Sequence, residues 1–315
     1  YLEWEDDLFS RFIEKFPTSA FGYKEKALSL VNDSKYEEAA RMMETGIKKS
    51  AAKDEAHSDY SDIIYQKIIY KGDSVYTAWT LDKALDEARQ AYAIKAQPVY
   101  KHQEARILFT KGDYADAANI FLDLTKTPIN SGELYLEAAQ AKTRLKAPDS
   151  EIEMLLDSAV SVGARTNMAG PYYLARGQYL AGKGQYRRAV QDFNMYDSIA
   201  RPVDPAFFYA RYQCETKLRM WQPALLDIAR TCYLAPKEPT FFAEWASLDL
   251  RVKRYDEGIS AASRCIELAP EYADGYLLLG LLYKEKNMKA EAIKNLKKAE
   301  ELGDKRAAGY LEKIK

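Results

Sequence analysis

Histidine is nearly missing from this chain. Its 315 residues contain two, His57 and His102, set 45 positions apart, so no H-E-x-x-H zinc pair can be written from them. Cysteine is almost as scarce. Cys214, Cys232 and Cys265 fit neither a C-x-x-C nor a zinc spacing, and they are too few for a disulfide framework. They read as small buried hydrophobes. Charge of one sign is lacking as well: 46 basic and 47 acidic residues leave a net −1. That balance argues against nucleic acid as a partner, which calls for a basic face. Long apolar runs are absent. The run "YLLLGLLY" at 276–283 falls far short of the ~20 residues that span a membrane.

Reaction signatures are missing too. No G-x-S-x-G, phosphate-cradling P-loop or Rossmann fingerprint occurs. "GKG" at 182–184 reads as a hairpin turn, and "EWEDD" at 3–7 as a solvated helix face. The sequon "NDS" at 32–34 falls in a turn. The expectation is a chain that is not an enzyme and has no catalytic residue, metal or cofactor.

What the chain has is a unit that recurs. "YLLLGLLYKEKNMKAEAIKNLKKAEELG" from Tyr276 is an apolar stretch, a polar turn and a second stretch with Ala292, Leu296 and Ala299 at helical spacing. Upstream, "FFAEWASLDLRVKRYDEGISAASRCIELAP" and "FFYARYQCETKLRMWQPALLDIARTCYLAP" fall in register with it. The small residue after the turn recurs as Ala39, Ala84, Ala117, Ile152, Ala189, Ala224, Gly258 and Ala292. From the C-terminal end the gaps are 34, 34, 35, 37, 35, 33 and 45. Two 3.6-residue periodicities joined by a short turn make each unit a helical hairpin. A short apolar run cannot be typed by periodicity alone, but inside this repeat "YLLLGLLY" is a helix. Its Gly280 is expected, with Ala292, where the two helices cross closely, at about 1 kcal/mol of lost helix propensity. Pro236 and Pro270 stop their helices.

These residues resemble the tetratricopeptide repeat (TPR) pattern, W-x₂-L-G-x₂-Y followed by A-x₃-F-x₂-A-x₄-P. The best match is Tyr276, Leu279, Gly280 and Tyr283, then Ala292, Leu296 and Ala299; Asp304 stands in place of the closing proline. One unit upstream, Phe242, Trp245 and Ala246 fit, but Asp249 occupies an aromatic position. The resemblance covers about residues 20–303 and implies an all-α fold: an α-α superhelix, a TPR-type solenoid of antiparallel helix pairs with terminal capping helices. The expected organisation is an N-terminal helix at 1–18, the remnant of a preceding repeat or cap and ending at Pro17. Tandem repeats follow at 19–303 and a capping helix at 304–315, with Ala307, Tyr310, Leu311 and Ile314 on one face. The long gap between Ala39 and Ala84 can hold lengthened helices or a longer turn between them; extended helices are the favoured expectation, since "DKALDEARQAYAIK" is rich in helix formers.

The resemblance implies a protein-interaction scaffold or adaptor that takes a peptide or partner protein in a concave groove lined by the first helices. Carrying the register across, His102, Arg106, Arg144, Gln178, Tyr209, Gln213, Ser247 and Arg251 are expected to face it. The Lys/Asn/Lys/Arg clamp by which some chaperone adaptors hold a terminal carboxylate is not assembled. Its positions here include Lys24 with Leu28, Glu137 with Ala141, and Leu174 with Gln178. The paired aromatics of "PYYL", "AFFY" and "TFFAEW" are expected to wedge between hairpins. The alternative is an exposed aromatic ridge of Tyr172, Phe207, Tyr209 and Phe241 binding a glycan or small ligand. A further alternative is end-to-end self-association: residues 1–18 carry net −3 and residues 284–315 net +4. A monomer without a membrane-spanning segment is the default. The non-methionine start and few cysteines point to an exported protein of the bacterial periplasm or envelope, with the cytoplasm as the other address.

Overall fold

The structure, a computed structural model, describes residues 2–72, 76–166 and 168–314, with the side chains of 2–7 outside the description. The "EWEDD" run therefore lies outside it. Among the described residues there are eighteen helices and no strand. Contacts divide the chain into two compact units, 1–172 and 173–315, the boundary falling inside α10 (Gly170–Gly182).

Unit 1 holds α1 (Leu2–Lys15) and four helix pairs. These are α2 (Ala20–Asn32) with α3 (Tyr36–Lys49), α4 (Lys53–Lys71) with α5 (Leu81–Ile94), α6 (Pro98–Lys111) with α7 (Tyr114–Leu124), and α8 (Gly132–Arg144) with α9 (Asp149–Arg165). In unit 2, α10 is followed by α11 (Tyr186–Ala200). The pairs α12 (Pro205–Lys217) with α13 (Trp221–Leu234), α14 (Pro239–Arg251) with α15 (Tyr255–Leu268), and α16 (Ala273–Glu285) with α17 (Lys289–Glu301) come next. The last helix, α18 (Arg306–Ile314), buries Ala307 and Ile314 against Leu277, Leu296 and Ala299, with Tyr310 and Leu311 packed alongside.

Each of the eight recurring anchor residues is the fourth residue of the second helix of its pair, and each is buried. A short side chain there lets the partner helix approach, which fixes the register of the hairpin. Gly280 shows the geometry: a Cβ on it would lie 2.7 Å from Leu296 Cγ and 3.1 Å from the Leu296 backbone nitrogen. The close neighbour is Leu296 rather than Ala292.

The turns recur as well. Ser34, Gly112, Lys146, Gly184, Arg219, Lys253 and Asn287 take left-handed φ between 54 and 96°. The next amide then donates back to the first helix, as Met220 does to the Glu215 carbonyl and Arg254 to the Asp249 carbonyl, both at 2.8 Å. This 6→1 closure satisfies carbonyls that a helix end would leave bare.

The pair α4/α5 departs from the pattern, and it corrects the expectation of two extended helices. Only α4 is lengthened, to 19 residues, while α5 keeps an ordinary 14. Gly72 at φ 82° ends α4, and the Thr80 hydroxyl caps α5 by accepting from the Lys83 amide at 3.1 Å. The connection between them carries the remaining extra length; its residues 73–75 lie outside the described residues. Trp79 of this connection is buried edge-on against Tyr36, Tyr60 and Tyr76, and its Nε1 donates to the Tyr60 hydroxyl at 3.3 Å.

Two glycines of unit 1 make room for Tyr172. A Cβ on Gly132 would meet the Tyr172 ring at 2.4 Å and the Ala159 carbonyl oxygen at 2.7 Å; one on Gly163 would meet the same ring at 2.4 Å. Backbone cannot step aside as a side chain can, so Gly132→Ala should lower stability by about 1–3 kcal/mol through overpacking. Gly309→Ala is the control. A Cβ there meets nothing within 4 Å, and helix propensity should then raise stability by up to about 1 kcal/mol. Thermal melts check both; a Gly132→Ala midpoint at or above the parent's would refute the close packing.

Candidate functional site

Unit 2 contains a surface built from the first helices of its pairs. One hollow of about 530 Å³ is lined by Gln178 and Ala181 of α10, Tyr186 and Phe193 of α11, Tyr209, Tyr212 and Gln213 of α12, and Glu244 of α14. A second, of about 340 Å³, is lined by Tyr212, Lys217, Arg219, Trp221, Glu244, Ser247 and Arg251. The two share Tyr212, Thr216, Lys217 and Glu244.

Aromatic rings set the wall. Tyr209 stacks on Tyr212 with ring centres 5.7 Å apart and meets Phe241 of α14 at 4.9 Å. The Tyr212 hydroxyl donates to Glu244 Oε2 at 3.0 Å, so burial and the neighbouring carboxylate both push its ionisation far above the usual range. Tyr209 is raised by burial first. The Arg251 guanidinium lies 5.6 Å over the Trp221 ring.

Of the sequence-predicted groove residues, the structure thus gathers Gln178, Tyr209, Gln213, Ser247 and Arg251 along these two hollows. In unit 1, His102 and Arg106 share a smaller hollow of about 120 Å³ with Ser58, Asp62, Tyr65 and Gln103. That one is largely self-satisfied: His102 Nε2 faces Glu137 Oε2, Arg106 lies 5.7 Å over the Tyr65 ring, and Gln103 donates to Asp62 at 2.7 Å and to the Ser58 carbonyl at 2.9 Å. Arg144 is exposed in the last turn of α8. Sequence reasoning missed Tyr212, Thr216, Lys217, Arg219, Trp221 and Glu244. Two of them, Thr216 and Lys217, follow Gln213 by three and four positions on α12, the helical spacing that would have extended the face.

The aromatic ridge needs correction. Phe207 is buried, within 5.8 Å of Phe193 and 5.1 Å of Tyr196 and Phe208, so it offers no exposed face. Tyr172 is half-buried over its two glycines. Tyr209 lines the first hollow, and Phe241 packs against Tyr209.

Behind this wall lie ion pairs spaced sixteen residues apart. Arg176 forks onto Asp192 at 2.8 and 2.7 Å, and Arg211 onto Asp227 at 2.6 and 2.9 Å. The Arg211 Nη1 also donates to Asn194 and Asp197, at 3.0 and 2.9 Å. Two further carboxylates have no such support. Glu215 and Asp249 occupy the position held by the buried Leu30, Leu108 and Leu180 in other turns, as the common 6→1 closure shows. Glu215 Oε2 and both Asp249 carboxylate oxygens lack hydrogen-bond partners. Burial pushes Glu215 up to about 8 and Asp249 to about 6.

The cysteine thiols are buried and free. Burial raises Cys214 and Cys265 to about 11 and Cys232 to about 12, and a thiol so raised is a poor nucleophile. Among the described residues no His, Cys, Asp and Glu side chains form a group that could hold a metal ion, and no helix is long and apolar enough to cross a membrane.

No family model matches the chain, and no curated protein matches it. Solved structures do. The C-terminal part of a TPR repeat-containing protein from Cytophaga hutchinsonii aligns with a TM-score of 0.59 at 16% identity, over 79% of this chain and 97% of that one. YrrB, a TPR protein with an unusual peptide-binding site, aligns with a TM-score of 0.54 at 19% identity, over 62% of this chain and 99% of that one. At such identities the likeness is one of fold. The fold of this chain is that of the tetratricopeptide repeat, an all-α array of paired helices.

Proposed function

We propose that this protein is an interaction scaffold that receives an extended peptide segment of a partner protein along the paired hollows of unit 2. The supporting observation is the open, aromatic-walled surface that unites Gln178, Tyr209, Gln213, Ser247 and Arg251 across α10, α12 and α14. Rigid aromatic rings supply contact area at low entropic cost, and the glutamines offer both donors and acceptors to a peptide backbone. The likeness to a peptide-binding TPR protein agrees with this reading.

Peptides selected from a random displayed library against the whole chain provide the test. Gln178 and Gln213 are exposed on their helices, so the bulky uncharged pair Gln178→Trp with Gln213→Trp should fill the groove without disturbing the core. The double variant should lose binding of the selected peptides by about tenfold or more while its helicity is kept. Arg106→Glu with Arg144→Glu, in unit 1, should leave it unchanged. Equal binding by the Gln178/Gln213 variant would place the interaction elsewhere.

A further inference from the structure

We infer that the groove's occupant is an acidic peptide, one whose carboxylate side chain enters the second hollow while an apolar side chain two positions away fills the first. This rests on the groove reading above and adds the chemistry of the partner.

Three cations, Lys217, Arg219 and Arg251, line the second hollow. Among the described residues none of them has a carboxylate oxygen within 4.0 Å. Several other cations of unit 2 are met by acids, Arg176 by Asp192, Arg211 by Asp227 and Asp197, and Arg264 by Glu267; what sets these three apart is that they converge on one hollow. Glu244 is the single acid lining the hollow, and it already accepts from the Tyr212 hydroxyl. A basic residue in a helix's last turn complements its own carbonyls, which accounts for Lys217 of α12 and Arg251 of α14 separately. It does not account for Arg219, beyond the end of α12, nor for the convergence of all three.

The carboxylate of Glu244 offsets one of the three charges, the hollow keeps a net positive charge, and an entering anion relieves the repulsion that remains. Trp221 holds the Arg251 guanidinium plane from one side. A guanidinium held on an aromatic face is pre-organised and weakly hydrated, so it gives up less on binding a carboxylate than a free lysine would. The first hollow, walled by Tyr186, Phe193, Tyr209 and Ala210, is the apolar counterpart. The shared lining residues make the two chambers continuous, so side chains two positions apart, which an extended strand turns to the same face, can use both. These cations stand in and just beyond the last turns of α12 and α14, at repeat positions other than those compared with the chaperone clamp.

The test uses the full chain and labelled synthetic peptides of repeating Phe-Ser-Glu-Ser, in which Phe and Glu share one face, their counterparts with Gln or Lys in place of Glu, and a version with phosphoserine in place of Glu, read by fluorescence anisotropy. The Glu peptide should bind about tenfold or more tighter than its Gln isostere, and the preference should shrink as salt is raised. Lys217→Glu with Arg251→Glu, checked for retained helicity, should reverse it in favour of the Lys peptide. Equal binding of the Glu and Gln peptides, or binding of the phosphoserine peptide alone, overturns the inference. If acidic peptides fail while library-selected peptides still bind in a Gln178/Gln213-dependent way, the acidic preference falls and the groove stands. If no peptide of any composition binds, both fall.

Discussion

Arg211→Leu should destabilise unit 2 by about 3–5 kcal/mol, the cost of leaving buried charge without its partner. Asp227 is 3% exposed and accepts a two-pronged, charge-assisted pair of bonds from Arg211, at 2.6 and 2.9 Å. Removing the guanidinium strands that carboxylate, and deprives Asp197 and Asn194 of their 2.9 and 3.0 Å partners. It also takes the cation from the faces of Phe207 and Phe208, which it covers at 5.1 and 5.8 Å. Arg211→Leu with Asp227→Leu should recover much of the loss, because an apolar pair replaces an ion pair at little net cost. The control is Arg264→Ala, whose pair with Glu267 is 46% and 64% exposed and should matter by less than about 1 kcal/mol. Urea denaturation of the three variants decides it. An Arg211→Leu loss no larger than that of Arg264→Ala would mean that the buried fork contributes nothing.

Glu215 and Asp249 should make unit 2 less stable as pH rises from about 4 to about 8. Both carboxyl groups are raised, Glu215 to about 8 and Asp249 to about 6, with burial the leading cause. Asp227 raises Glu215 further and Arg211 lowers it; for Asp249, Arg254 lowers and Glu257 raises. Arg254 Nε stands 3.6 Å from Asp249 Oδ1, too far for a hydrogen bond. In the unfolded chain both groups ionise near pH 4. Between that pH and the folded values the native state holds the extra protons, so stability falls across the window. The Asp249 contribution ends near pH 6 and that of Glu215 near pH 8. At ~1.4 kcal/mol for each tenfold change in proton affinity, the two sites contribute about 3–5 kcal/mol apiece. Glu215→Gln and Asp249→Asn mimic the protonated forms, so melting midpoints measured from pH 5 to 8 should be flatter than the parent's, and higher at the alkaline end. A parent midpoint that does not move over this range would refute the burial of ionisable carboxyl groups.

Both predictions depend on residues whose roles the sequence hides. Asp249 is visible there as a departure from the aromatic expected at its position, but its meaning is not. Glu215, 34 residues upstream, sits in the same slot, and only the packed hairpin shows that this slot is shut off from water. The Arg176–Asp192 and Arg211–Asp227 forks leave no pattern that distinguishes them from solvated charges. The lengthened unit is legible as a longer gap. Its resolution into one extended helix and a connection pinned by Trp79 depends on Gly72 and Thr80 acting as stop and start.

The paired helices, their register and their turns are dictated by the linear chain. Each of these is set by neighbours a few positions apart: apolar residues at 3.6-residue spacing, an anchor residue fourth in each second helix, and a polar link that closes between them. Packing in three dimensions settles which polar side chains turn inward, which carboxylates lose water, and that Lys217, Arg219, Trp221 and Arg251 meet around one hollow. Those outcomes arise between neighbouring hairpins, where burial and convergence depend on side chains brought together by the fold and no local periodicity records them.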